Sequence, residues 1–173
     1  MTGPQRRLVL LRHAKAEPHG GVGDELRPLA VLGRRQCGDV GVRLTTSGLL
    51  PEVVLVSSAV RTRQTWELVR SALGDAPEPE VLVSDELYEA GPRDVLRLLH
   101  AVDERVGTVL VVGHEPAMSA LAVLLADPTP PVGELATLHH GLPTAGYAVL
   151  APQAWAGLDR AGARLLEVAR PAL

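Results

Sequence analysis

The chain has 173 residues, 46% hydrophobic and 21% charged, with a formal net charge of −3. That length and balance suit one globular domain with a core of its own, taken here as residues 1–173. The acidic balance offers no general attraction to nucleic acid or to an anionic membrane, and the single cysteine, Cys37, excludes an intrachain disulfide.

In chain order, the first apolar run is Leu8–Leu11, cut off by Arg12. It is shorter than the roughly 7–15 apolar residues of a secretory signal. The longest apolar run, Ala117 to Ala126, is likewise far short of the roughly 20 residues that span a bilayer. A soluble cytoplasmic protein is expected. Leu8–Leu11, Val53–Val56 and Thr108–Val112 are apolar throughout, the pattern of parallel strands buried on both faces. Val81–Val83 is a weaker run that fits an edge strand. Between the runs, apolar spacing predicts helices over 61–73, 93–102 and 116–126, the last with Pro116 at its first helical position. A helix over 29–44 is weakened by Gly33, Gly38 and Gly41. The segment 127–134 reads as a Pro-rich surface loop. Tyr147–Leu150 and Arg164–Val168 read as a closing antiparallel pair. Strands alternating with helices predict an α/β sandwich.

Ligands of such sheets bind beyond the carboxyl ends of the strands. The first strand is followed by Arg12-His13-Ala14-Lys15. The second leads into Ser57-Ser58-Ala59-Val60-Arg61, and the strand at 108–112 into Gly113-His114-Glu115. Each residue alone also fits a solvated loop or a helix cap. Together they bring Arg12, His13, Arg61 and His114 to one sheet edge, with helix starts adding N–H groups and partial positive charge. This is an anion pocket on an acidic protein. Two guanidinium forks can grip phosphoryl oxygens, one imidazole can attack phosphorus, and a second can donate to the oxygens. Such chemistry needs no metal and no cofactor. Gly20-Gly21-Val22-Gly23 lacks the Lys-Ser/Thr of a P-loop. His139-His140 lacks a third ligand, and His114-Glu115 does not begin HExxH. Cys37 reads as a small core residue.

LVLLRHAKAE, SSAVRTRQT and VVGHEP, in that order, resemble the motifs of the histidine phosphatase superfamily. The resemblance implies a phosphoglycerate-mutase-like fold: a three-layer α/β/α sandwich with a mostly parallel central sheet. It also implies a phosphohistidine intermediate and no metal, with His13 as nucleophile and Arg12, Arg61 and His114 as the other pocket residues. Ala14 stands where the commoner form has Gly. The Arg-His-Ala-Lys form resembles the SixA-like branch, described as phosphohistidine phosphatases. Asp24-Glu25-Leu26-Arg27-Pro28-Leu29 resembles a segment of that branch, which makes Asp24 and Arg27 candidate substrate contacts. Ala30 replaces the Thr that would cap the next helix.

The leaving group needs an acid unless it departs easily. Glu89 stands where phosphoglycerate-mutase-like members carry an acidic residue, and Asp24 is its rival. The expected partner is a phosphorylated protein, dephosphorylated at phosphohistidine. A small phosphate ester, such as a sugar phosphate or nucleotide, is the alternative. A non-catalytic phosphate- or protein-binding module is the alternative of another class. The oligomeric state is left open.

Overall fold

The computed structural model describes residues 3–172. Its strands are β1 (Arg7–Arg12), β2 (Val53–Ser57), β3 (Glu80–Ser84), β4 (Thr108–Gly113), β5 (Tyr147–Pro152) and β6 (Ala163–Ala169). Its helices are α1 (Val31–Thr46), α2 (Val60–Ala72), α3 (Pro92–His100), α4 (Ala117–Leu125) and α5 (Glu134–His139). The strands form one sheet in the order β3-β2-β4-β1-β5-β6. β1 to β4 pair in parallel, and β5 and β6 close one side antiparallel.

Side chains alternate between the two sheet faces, and two cores result. Leu8, Leu10, Leu55, Val109 and Val111 face Leu96 and Leu99 of α3 and Met118, Leu121 and Leu125 of α4. Val9, Leu11, Val54, Val56, Leu110 and Val112 face Cys37, Val40 and Leu44 of α1 and Trp66 and Val69 of α2. The sheet is thus a middle layer between two helical ones. Each fully buried Leu or Val contributes about 1.5–3 kcal/mol, so these apolar strands are stabilised from both sides. β3 lies at the edge with Val81, Leu82 and Val83 exposed. No helix among the described residues is long and apolar enough to cross a membrane.

Two of the three glycines of α1, Gly33 and Gly41, are explained by packing, while a Cβ on Gly38 would meet nothing. A Cβ on Gly33 would lie 2.1 Å from the Lys15 carbonyl oxygen, and one on Gly41 would lie 2.4 Å from the Ala72 Cβ. The helix therefore trades intrinsic propensity for close approach to the loop after β1 and to α2. Ala30 is the N-cap residue and makes no side-chain cap bond. Its N–H instead donates to the Lys15 carbonyl at 2.9 Å, so α1 starts at Val31 without the missing threonine. Two expectations need correction. The loop assigned to 127–134 ends one residue early, because Glu134 opens α5, whose only buried residue is Leu138. Pro116 is the N-cap of α4 rather than its first helical residue.

The β1–β4 register sets Arg12 opposite Gly113. The next residues, His13 and His114, therefore leave the same sheet edge side by side.

Candidate active site

The end of β1 is locked from several directions. The His13 N–H donates to the Gly113 carbonyl at 3.0 Å, and the His13 carbonyl accepts the Ala145 N–H at 3.1 Å. The Ala14 N–H donates to Thr65 Oγ1 at 3.1 Å, and the Lys15 N–H to Gln36 Oε1 at 2.9 Å. The Leu29 N–H donates to Gln64 Oε1 at 2.8 Å. Thr65, on the turn of α2 after Arg61, thus braces the segment that carries His13, and Gln64 beside it braces Leu29 at the far end of the loop that follows.

His13 is 8% exposed. Its Nδ1 lies 2.8 Å from the Ala14 carbonyl oxygen. A carbonyl only accepts, so Nδ1 carries the hydrogen and Nε2 keeps its lone pair. Burial pushes the pKa of His13 down to about 3, opposed by the Ala14 bond and assisted by His114, Arg61 and Arg12. The ring is neutral at physiological pH.

Arg12 Nη1 donates to the Leu142 carbonyl at 2.8 Å. Leu142 is also held from its other side, where its N–H donates to Glu115 Oε2 at 3.1 Å. Glu115 also accepts the Ser119 N–H at 2.9 Å and the Ser119 hydroxyl at 2.5 Å. Arg61, 6% exposed, donates through Nη1 to the Asp24 carbonyl at 2.7 Å and through Nη2 to Asp24 Oδ2 at 3.0 Å. The Nε groups of Arg12 and Arg61 are buried without a protein acceptor, and the charges of both arginines act on the His13 ring.

The His114 ring centroid is 5.3 Å from that of His13. Its Nδ1 lies 3.4 Å from Arg61 Nη2 and its Nε2 lies 2.8 Å from Ser57 Oγ. Burial, with the charge of Arg61, lowers its pKa to about 4.

Asp24 sits on a short 3-10 turn (Asp24–Leu26). Besides Arg61 it accepts the Tyr88 hydroxyl at 2.5 Å and Arg27 Nε at 3.0 Å. The Tyr88 bond above all, then Arg61 and Arg27, hold its carboxyl well below the usual carboxylate range. The same contact raises the pKa of the Tyr88 phenol. Arg27 Nη1 ties the turn to the Glu17 carbonyl at 3.0 Å.

The fold therefore gathers Arg12, His13, Arg61 and His114, with Asp24 and Arg27 joined to them through Arg61. Glu89 is placed otherwise: it is exposed, and its neighbour Tyr88 points inward. Among the described residues Glu89 makes no side-chain hydrogen bond, and no three His, Cys, Asp or Glu side chains are gathered as a metal site. His139 and His140 are exposed, and Cys37 is buried, its pKa raised to about 11 by that burial. Ser57, Tyr88 and Glu115 are additional contacts that the residue pattern did not single out, although each lies within or beside a segment that it did.

No protein-family model matches the chain. An uncharacterised protein of Mycobacterium tuberculosis is 39% identical over 141 residues, covering 81% of this chain and 85% of the relative. Among solved structures, a protein of Nakamurella multipartitia assigned as phosphohistidine phosphatase SixA is 35% identical. It covers 100% of both chains with a TM-score of 0.86. One of Agrobacterium tumefaciens with the same assignment is 30% identical, covers 96% of this chain and 98% of its own, and has a TM-score of 0.77. The protein histidine phosphatase SixA complexed with tungstate is 27% identical, covers 95% and 97%, and has a TM-score of 0.73. With the sheet order, the paired histidines and these likenesses together, the chain belongs to the histidine phosphatase superfamily, among its SixA-like members.

Proposed function

We propose that the chain, acting as a single domain over 1–173, is a phosphatase that works through a phosphoryl group on His13 and takes phosphohistidine in a protein as substrate. The observation that carries the reading is the fixed tautomer of His13. Its Nδ1–H is given to the Ala14 carbonyl, which leaves the lone pair on Nε2, and the charges of Arg12 and Arg61 act on the ring. Nε2 attacks phosphorus, and the bond from phosphorus to the leaving group breaks. The leaving group departs with the electron pair and takes a proton. Water then attacks the phosphorylated His13, releasing inorganic phosphate and restoring Nε2. Arg12 and Arg61 neutralise the phosphoryl oxygens, and His114 donates to them as charge develops. On this reading the site needs neither metal nor cofactor.

The substrate class follows from the acids available. Asp24 is held ionised by three donors, so it is a poor proton donor. Glu89 remains as a carboxyl exposed to water. Limited acid assistance favours a leaving group that departs readily, as the imidazole of phosphohistidine does. The single, buried cysteine suits a reducing cytoplasm.

Rapid quench with labelled substrate should give an acid-labile, base-stable adduct on His13. Turnover should survive EDTA. Undiminished turnover by His13→Ala, or loss in EDTA with rescue by a divalent ion, would overturn the assignment. A marked preference for sugar phosphates or nucleotides over phosphohistidine protein would keep the mechanism and replace the substrate.

A further inference from the structure

Ser57, the last residue of β2, is 0% exposed. Its Oγ accepts the Ala59 N–H at 3.4 Å and lies 2.8 Å from His114 Nε2. The other ring nitrogen, Nδ1, faces Arg61 Nη2 at 3.4 Å. A guanidinium can only donate, so Nδ1 is the acceptor. A neutral imidazole has one N–H, so Nε2 carries it and gives it to Ser57. In this state the ring has no hydrogen to offer on its Arg61 side, where a phosphoryl group gripped by that arginine would lie.

We infer that Ser57 is a positioning residue: by taking the Nε2–H of His114 it fixes Nδ1 as the atom that meets the phosphoryl group, and Nδ1 gains a proton as the anion arrives. The inference rests on the phosphatase reading above. The groups around His114 are Arg12 and His13 at the end of β1, Arg61 on α2, Tyr88 edge-on at 5.6 Å, and Asp24 behind Arg61. Without a ligand the two guanidinium charges oppose protonation of the ring. A bound dianion reverses that balance and takes over the Arg61 N–H. Nδ1 is then protonated, by solvent or by the P–OH of a substrate monoanion, and donates to a phosphoryl oxygen. The resulting imidazolium has both N–H groups satisfied, one by the ligand and one by Ser57. The proton returns to solvent or leaves with phosphate when the product departs.

The test uses the whole chain and sulfate as probe, since sulfate does not itself titrate near neutrality. Nitrogen-15 imidazole spectra should show free wild-type His114 as the neutral Nε2–H tautomer. Both nitrogens should be protonated when sulfate is bound at pH 6. Ser57→Ala should lose the single tautomer and show less imidazolium at equal saturation, and Ser57→Thr should restore both. In turnover of p-nitrophenyl phosphate, the alkaline limb of kcat should move down by about one pH unit in Ser57→Ala, the scale of one hydrogen bond to a charged group. A free wild-type His114 carrying its hydrogen on Nδ1, or a Ser57→Ala protein with unchanged tautomer and unchanged alkaline limb, would overturn the inference. The wild-type spectrum judges it even if the variant fails to fold. Absence of wild-type turnover with every phosphate tried would sink the phosphatase reading, while the spectra would still judge Ser57.

Discussion

Asp24 holds Arg61 twice, by its backbone carbonyl at 2.7 Å and by carboxylate Oδ2 at 3.0 Å. The loop that follows β1 is thereby fastened to the first turn of α2, and a negative charge stands against an arginine proposed to bind phosphate.

Asp24→Asn keeps an oxygen for Arg61 and the backbone contact but removes that charge. Inorganic phosphate and tungstate should then bind about two- to tenfold more tightly, a modest gain because the carboxylate is partly exposed and screened. Titration calorimetry measures this directly. Weaker binding would mean that the carboxylate's hold on Arg61 outweighs its repulsion of the ligand.

The two histidines make stability depend on pH. Their pKa values in the folded chain, about 3 for His13 and about 4 for His114, lie below the unfolded value of about 6.5. The unfolded chain therefore binds more protons between those values, and stability falls as pH drops from about 6.5 toward 4. Each group contributes about 1.4 kcal/mol per pH unit when fully in that window. Asp24, also depressed, adds its loss below about pH 4, where the unfolded carboxyl begins to protonate. Urea midpoints should decline steadily from pH 7 to pH 4.5, and less steeply in His13→Asn. A flat profile would contradict the burial of neutral imidazoles.

Glu115 reaches Arg12 through Leu142, whose N–H it accepts and whose carbonyl, in the next peptide, receives Arg12 Nη1. Glu115→Ala should free the backbone of Leu142 and loosen the guanidinium. KM for phosphate substrates should rise about tenfold, since misplacement of about 1 Å can cost up to 10²-fold. Loss of the Ser119 cap should also lower stability by about 1–3 kcal/mol. Glu115→Gln, which keeps one acceptor oxygen, should fall between the two proteins. Unchanged KM in Glu115→Ala would show that Arg12 holds its place without this support.

The strand ends were readable because buried parallel strands announce themselves as short apolar runs, and Arg12-His13 and Gly113-His114 directly follow two of them. Arg61 was readable from its place at the start of a helix. What could not be read was who holds whom. Ser57 looks like an ordinary turn serine until the β2–β4 register brings it under His114. Tyr88 was passed over for the carboxylate beside it, because nothing local says which of two adjacent residues points inward. Asp24 was visible only through the resemblance of its segment to one of the SixA-like branch. Its three donors come from separate elements, so its ionised, clamped state is a tertiary property. α5 escaped because its span of Glu134–His139 is too short to display helical periodicity. Gly33 and Gly41 weaken α1 in the residue pattern, yet the close packing of that helix requires them.

Glu89 is the residue to test as the source of the leaving group's proton. It follows Leu87-Tyr88 and precedes Gly91-Pro92 by one residue, on the connection that leads into α3. Tyr88, its neighbour, already reaches Asp24, and the Glu89 carboxyl beside it is exposed. If Glu89 donates that proton, its removal matters most for poor leaving groups. Glu89→Gln should slow alkyl phosphates by roughly 10²–10⁴-fold, the usual worth of general acid catalysis, and p-nitrophenyl phosphate only slightly. Phosphohistidine, whose imidazole departs readily, should resemble the aryl ester. Equal slowing of both ester types would assign Glu89 to binding or structure. Selective loss in Asp24→Asn instead would name Asp24 as the acid, against its ionised state in the fold. If neither variant separates the two ester types, turnover proceeds without a side-chain acid, and only groups that leave unaided remain as good substrates.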